Sequence, residues 1–185
     1  MIGASLIGTA RVEWQQTLFD DGYFARSTPK EYGGFGGDID ILKTRIIAEE
    51  FAKSSIPKPL GGQGIQMLVP TLLELGTEEQ KKKWLPQLSV GKAVGCFGLT
   101  ESNHGSDPGG MLTRAKRDGD DWIINGSKMW ITNGSIADVA VVWAKDEEGI
   151  VRGFLIEKGT KGFSSSDIHG KMSLRASITS ELFMK

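Results

Sequence analysis

The chain holds one cysteine and two histidines and is almost free of net charge, and each scarcity closes off a class of function. With Cys96 alone no internal disulfide can form, which fits a reducing compartment. Its apolar neighbours mark it as a small buried side chain in preference to a reactive thiol. His104 and His169 have no evident partner for catalysis, and no metal-binding spacing occurs. A formal net charge of −1 supplies no bulk field for nucleic acid or an anionic membrane. No apolar run approaches a transmembrane length. The opening MIGASLIGTA is mildly apolar, carries no basic flank and is too short to span a bilayer. No Walker motif appears, and no GxGxxG sits between a strand and a helix. What remains is a soluble protein, cytoplasmic or, in a eukaryote, of the mitochondrial matrix. Its 185 residues, 39% hydrophobic and 24% charged, suffice for one domain or two small ones with a real core.

The pattern divides the chain into an N-terminal helical domain, 1–92, and a β-domain, 93–185. Val12, Leu18 and Phe19 fit one helical face over 11–21, with Gly22 as terminator. Ser27–Gly37 is too rich in glycine for regular structure. Ile39, Leu42, Ile46, Ile47 and Phe51 then form an apolar stripe, capped by Asp38 or Asp40. Over 64–75, Ile65, Leu68, Leu72 and Leu75 predict a third helix, with Pro70 as a kink and Gly76 at the left-handed C′ position. Thr77-Glu-Glu-Gln80 reads as a capping box opening a short helix that stops at Pro86. Lys81, Lys82 and Lys83 read as a solvated face of it.

After Gly110 the apolar period falls to two. Trp122–Asn125 and Lys128–Thr132 predict a hairpin about Asn125-Gly126, and Asn133-Gly134 a second turn. Val139–Ala144 and Gly153–Glu157 predict strands joined by a polar turn, and Ser180–Lys185 a last strand ending at a sheet edge. Short strands with such turns predict an α+β chain whose second part is an antiparallel barrel or sandwich.

Between the two patterns lies Phe97–Met111, FGLTESNHGSDPGGM. It leaves a strand and offers hydroxyls and closely spaced amides on a backbone that glycine leaves unobstructed, the chemistry of an anion or cofactor cradle. Taken alone, such a run reads first as a surface loop of turn formers.

Two segments carry a resemblance. Cys96–Asp107, CFGLTESNHGSD, and Lys128–Gly134, KMWITNG, are similar to the two signature segments of the acyl-CoA dehydrogenase family of flavoenzymes. Asp120–Lys128 also looks like that family. Arg152–Phe163 and Gly170–Ser177 look closest to its glutaryl-CoA dehydrogenase branch. The likeness is strong from about Leu85 onward and looser in the helical half.

The resemblance implies FAD held in extended form against the β-domain. Phe97, Leu99 and Thr100 would line the pyrimidine side of the flavin. Gly105 and Ser106 would lie near the pyrophosphate, Ser106 also at the thioester end of the substrate. Trp130 would pack on the ring system, Ile131 would belong to the same flavin-binding segment, and Thr132 would hydrogen-bond near N5, the hydride acceptor. By themselves, Trp130 reads as a core aromatic and Thr132 as a plain β-former.

The implied reaction is α,β-dehydrogenation of an acyl-CoA thioester in fatty acid or amino acid catabolism, with an electron-transfer flavoprotein as acceptor and a homo-oligomer as the full-length form. The family's base, a glutamate on a C-terminal helical bundle, has no counterpart here, so no catalytic residue is assigned and the chain reads as partial. Glu101 belongs to the loop signature and is not that base. Ser102 stands where relatives usually carry proline. The glutaryl branch holds the distal carboxylate with an arginine–serine pair, where this sequence offers Lys58, a cation without the bidentate fork. The alternative is a non-catalytic remnant or interaction fragment that retains the flavin-facing wall; an acyl-CoA oxidase is a third reading.

Overall fold

The computed structural model describes residues 9–185 apart from 55, 58 and 60, with the backbone alone at Thr9 and Arg11. Lys58 lies outside the described residues. The chain forms two compact units, Met1–Ala93 and Val94–Lys185.

In the first unit, α1 (Thr9–Asp20) ends at Gly22, where the Tyr23 amide returns to the Leu18 carbonyl at 2.8 Å. Helix α2 (Ile41–Lys53) begins where the Asp40 carboxylate accepts from the Lys43 amide at 2.9 Å. Its apolar stripe is present but unpacked: no α2 side chain is buried, and Ile46, Ile47 and Phe51 line an open cavity of about 400 Å³ with Trp14 and Leu18 of α1. The third helical stretch opens as a π turn (Gly64–Leu68) and continues as α3 (Val69–Leu75), with Pro70 near the junction where the helical bonding changes from π to α. Leu68 and Leu72 are buried, but Leu75 is exposed. Gly76 is extended, not left-handed; a Cβ there would come within 2.6 Å of the Leu72 carbonyl oxygen, so glycine serves close approach.

The capping box forms, with Thr77 and Gln80 bonded reciprocally, and it opens α4 (Glu78–Ser89). This helix does not stop at Pro86 but continues through it. Proline deprives the Lys82 carbonyl, four residues back, of its donor, and Lys82 is on the exposed side where solvent serves instead. Leu85 and Leu88, both buried, hold the helix on either side of the proline.

The second unit is a seven-stranded sheet: β1 (Gly95–Gly98), β2 (Arg114–Asp118), β3 (Asp121–Thr132), β4 (Val139–Lys145), β5 (Val151–Glu157), β6 (Phe163–Asp167) and β7 (Thr179–Met184). The order is β1-β4-β2-β3-β7-β6, with β5 also on β4. Pairing is antiparallel except that β1 and β2 meet β4 in parallel. Cys96, Ile131, Val142, Ile156, Leu182 and Met184, from five different strands, converge in one buried cluster. The sheet therefore curls around that cluster as an open barrel.

Two expectations change here. The hairpin is not at Asn125-Gly126 but at Gly119-Asp120, between the paired Asp118 and Asp121, with Gly119 at φ 63 as a type II′ turn requires. Strand β3 runs unbroken through Asn125-Gly126, where it changes partner: Asn125 pairs with Arg114 of β2, and Gly126 with Met184 of β7. The second change concerns β7, which is not an edge strand: it lies between β3 and β6.

Candidate functional site

Leaving β1, the chain reaches across to β3: the Met129 amide donates to the Thr100 carbonyl at 2.8 Å. This bond is one of those that join the two segments singled out from the sequence. Strand alternation then sorts their side chains. Cys96 and Gly98 are buried, Cys96 in the core cluster, so Phe97 and Leu99 turn to the opposite face. Ile131 is likewise in the cluster, so Trp130 and Thr132 turn away from it.

Trp130 owes its exposure to a bulge. The register of β3 on β7 shifts between Lys128 and Ile131, which lets both face inward although they are three apart. Trp130 occupies the bulge at φ 63 and leaves its indole 52% exposed. A left-handed tryptophan costs about 1–2 kcal/mol relative to a regular strand residue. Half-exposed, it recovers little of that by burial. Asn133, at φ 64, begins the expected turn, which is held to β7 by the Ser135 amide on Ser180 Oγ at 3.1 Å.

Phe97, Leu99, Thr100 and Thr132 are all half-buried, and Phe97 also meets the Trp143 ring at 5.9 Å. Gly105 and Ser106, further along the loop, are exposed. No atom within 4 Å would obstruct a Cβ at Gly105, so internal packing does not demand glycine there. Ile131, counted among the flavin-binding residues, has its side chain in the core at 2% exposure and presents only its backbone outward. A second cavity, of about 430 Å³, opens between the Glu101–His104 turn and the Asn125–Ser127 bend of β3. His104 closes that turn through paired backbone bonds with Glu101, both at 3.2 Å.

Beneath the loop is a group whose role the sequence did not reveal. Lys128 is fully buried and pairs with Glu101, itself 7% exposed, at 2.8 Å. The Glu101 carboxylate also accepts from the Leu112 amide at 2.6 Å, the Thr113 amide at 3.0 Å and the Thr113 hydroxyl. Burial alone would raise its pKa, but these donors outweigh it and hold the carboxyl at about 2. Burial pulls the Lys128 ammonium below its ordinary range, with Glu101 opposing. A carboxylate so fixed is no general base, in keeping with the reading that Glu101 is not the family's base. One signal was available: Lys128 is in phase with the inward-facing Trp122 and Ile124 at period two, where an apolar residue belongs. Cys96 is buried, and its thiol is pushed up to about 12, which excludes nucleophilic work. Among the described residues no group of three or more His, Cys, Asp and Glu is placed to hold a metal ion. No helix among them is long and apolar enough to cross a membrane.

Comparison with known proteins identifies the family. Residues 8–92 match the N-terminal domain of acyl-CoA dehydrogenase and residues 96–185 its middle domain. The chain belongs to the acyl-CoA dehydrogenase family. It is 44% identical over 164 residues to a short-chain-specific acyl-CoA dehydrogenase of Clostridium acetobutylicum, covering 83% of this chain and 41% of that protein. It is 39% identical over 162 residues to the mitochondrial long-chain-specific enzyme of Mus musculus, covering 84% and 37%. The crystal structure of a glutaryl-CoA dehydrogenase from Mycobacterium smegmatis in complex with FADH2 superposes with a TM-score of 0.74 at 41% identity, over 94% of this chain and 44% of that one. The chain thus spans less than half the length of the relatives it matches.

Proposed function

We propose that this chain forms the flavin-facing part of an FAD-dependent acyl-CoA dehydrogenase, the protein as a whole carrying out α,β-dehydrogenation of an acyl-CoA thioester. The observation that carries the reading is the bond from Met129 to Thr100, which sets a hydroxyl and amide segment beside an indole held outward against backbone strain. A half-exposed aromatic next to threonines suits an isoalloxazine, which is flat and apolar on its faces and hydrogen-bonding along one edge. When bound, FAD supplies the hydride acceptor of the reaction.

The residues divide the work by position. Trp130 covers the ring system and keeps water from it. Thr100 and Thr132 would offer hydroxyls to the polar edge of a bound flavin, and the Thr132 hydroxyl would favour negative charge on that edge. Phe97 and Leu99 complete the apolar lining, while the Ile131 contribution is through its backbone. The exposed Gly105 and Ser106 meet the pyrophosphate and, at Ser106, the thioester end of the substrate. No residue of this chain is assigned as the base that removes the α-proton.

Short- and long-chain enzymes and a glutaryl-CoA dehydrogenase are about equally similar to this chain, so the substrate class is acyl-CoA without a fixed chain length. An electron-transfer flavoprotein as acceptor, a homo-oligomeric full-length protein and a site of action in the cytoplasm or mitochondrial matrix complete the proposal. Titration of the purified chain with FAD tests it. Saturable quenching of flavin fluorescence with a shifted visible band is the expected result. A cofactor that stays free at all concentrations overturns it and favours the remnant reading.

A further inference from the structure

An ammonium has three hydrogens, and around Lys128 Nζ stand three acceptors: the Leu99 carbonyl at 3.1 Å, Glu101 Oε1 at 2.8 Å and, more weakly, Met111 Sδ at 3.8 Å. All three come from the single stretch Phe97–Met111. Leu99 and Glu101 flank Thr100 where the loop begins, and Met111 lies where it ends. One side chain of β3 therefore gathers both ends of the loop, and the backbone bond from Met129 to Thr100 lies next to it. Glu101 carries the constraint further, since its other bonds reach Leu112 and Thr113 just before β2. A well-packed apolar side chain would fill the same space at least as stably, because burying an ion pair is rarely favourable in itself. The charges therefore serve placement, and that placement bears on the residues immediately outside.

We propose that Lys128 is the positioning residue of the flavin-facing wall: its buried ammonium pins both ends of the Phe97–Met111 loop to β3 and so holds Thr100 beside Trp130. The inference rests on the flavin reading above, but its effect on the protein can be measured without cofactor.

Lys128→Met alone leaves Glu101 buried and unpaired, so loss of folding there is uninformative as to placement. The decisive variant is the double one, Lys128→Met with Glu101→Gln, which removes both charges together. Two quantities are read: hydrogen exchange of the Met129 amide against amides of the β4–β5 ladder, and FAD affinity from flavin fluorescence. In the double variant the β4–β5 amides should exchange at the wild-type rate, while Met129 exchanges at least tenfold faster. FAD should bind roughly tenfold more weakly, about 1.4 kcal/mol. Wild-type Met129 exchange together with wild-type affinity would overturn the proposal, and so would exchange that rises equally in both ladders. If the wild-type chain takes up no FAD, the functional proposal fails on its own, and Met129 exchange alone decides the role of Lys128.

Discussion

Trp130 and Glu101 are two residues held against their intrinsic preferences, in opposite ways. Trp130 sits at φ 63 on a strand, where a side chain meets its own backbone. In an ordinary strand alanine is at least as stable as glycine. Here the order should invert: Trp130→Gly should be more stable than Trp130→Ala by about 1 kcal/mol, read from urea midpoints. The usual order would show that the bulge relaxes without strain. Glu101 is instead kept ionised in a place that excludes water. Its folded carboxyl titrates at about 2, whereas in the unfolded chain it does so at roughly 4.3. Between those values the unfolded state binds more protons, so stability rises with pH across the window. The contribution is complete above pH 4.3 or so and lost as pH falls towards 2. Asp40, Glu78, Asp146 and Asp167 are also depressed and slope the same way. The difference between wild type and the double charge-removed variant therefore isolates the Glu101–Lys128 pair. Parallel urea midpoints from pH 6 to 2 would refute the assignment.

At the scale of elements, β3 decides what the sequence disclosed and what it hid. Its partner change at Gly126 was misread as a hairpin, because an Asn-Gly pair between β-prone runs carries the same local signal whether the chain reverses or bends. What distinguishes the two is a distant residue: a Cβ on Gly126, at φ 149, would meet Thr113 Oγ1 at 2.5 Å and Thr113 Cα at 2.8 Å. Gly126→Ala must push β2 and β3 apart beneath Glu101, and should cost about 2–4 kcal/mol by strain and overpacking. Equilibrium unfolding with an unchanged midpoint would show that the close approach is not needed. The same distinction explains the other elements. The Thr77–Gln80 box and the Asp40 cap were legible because both partners lie within four residues. Passage of α4 through Pro86 was not, because it depends on which face Leu85 and Leu88 bury. The exposure of Ile39 and Leu42 was equally hidden: periodicity identifies an apolar stripe without saying what covers it. Of the candidate site, the two segments were readable, whereas the inward Lys128 that joins them was not. Its partners lie 17 to 29 residues away, and no local pattern encodes them.

For the whole molecule, the family assignment and the local physics meet in one measurable quantity. The parts of the wall come from β1, the loop after it and the bulge of β3, so a ligand held there binds only the folded sheet. The unfolded chain scatters Thr100 and Trp130 and offers no competing site. Linkage then requires FAD to stabilise the native state, by about 2.7 kcal/mol at a hundred times its dissociation constant. For a chain of this length each kcal/mol is worth roughly 2–4 °C, so the melting transition that reports the sheet should rise by about 5–10 °C at saturating FAD. Trp130→Gly should lose much of that rise while melting near the wild type without cofactor, because the indole contributes to binding more than to folding. FAD that leaves the melting temperature unchanged, at concentrations where fluorescence reports it bound, would place the flavin somewhere other than this wall.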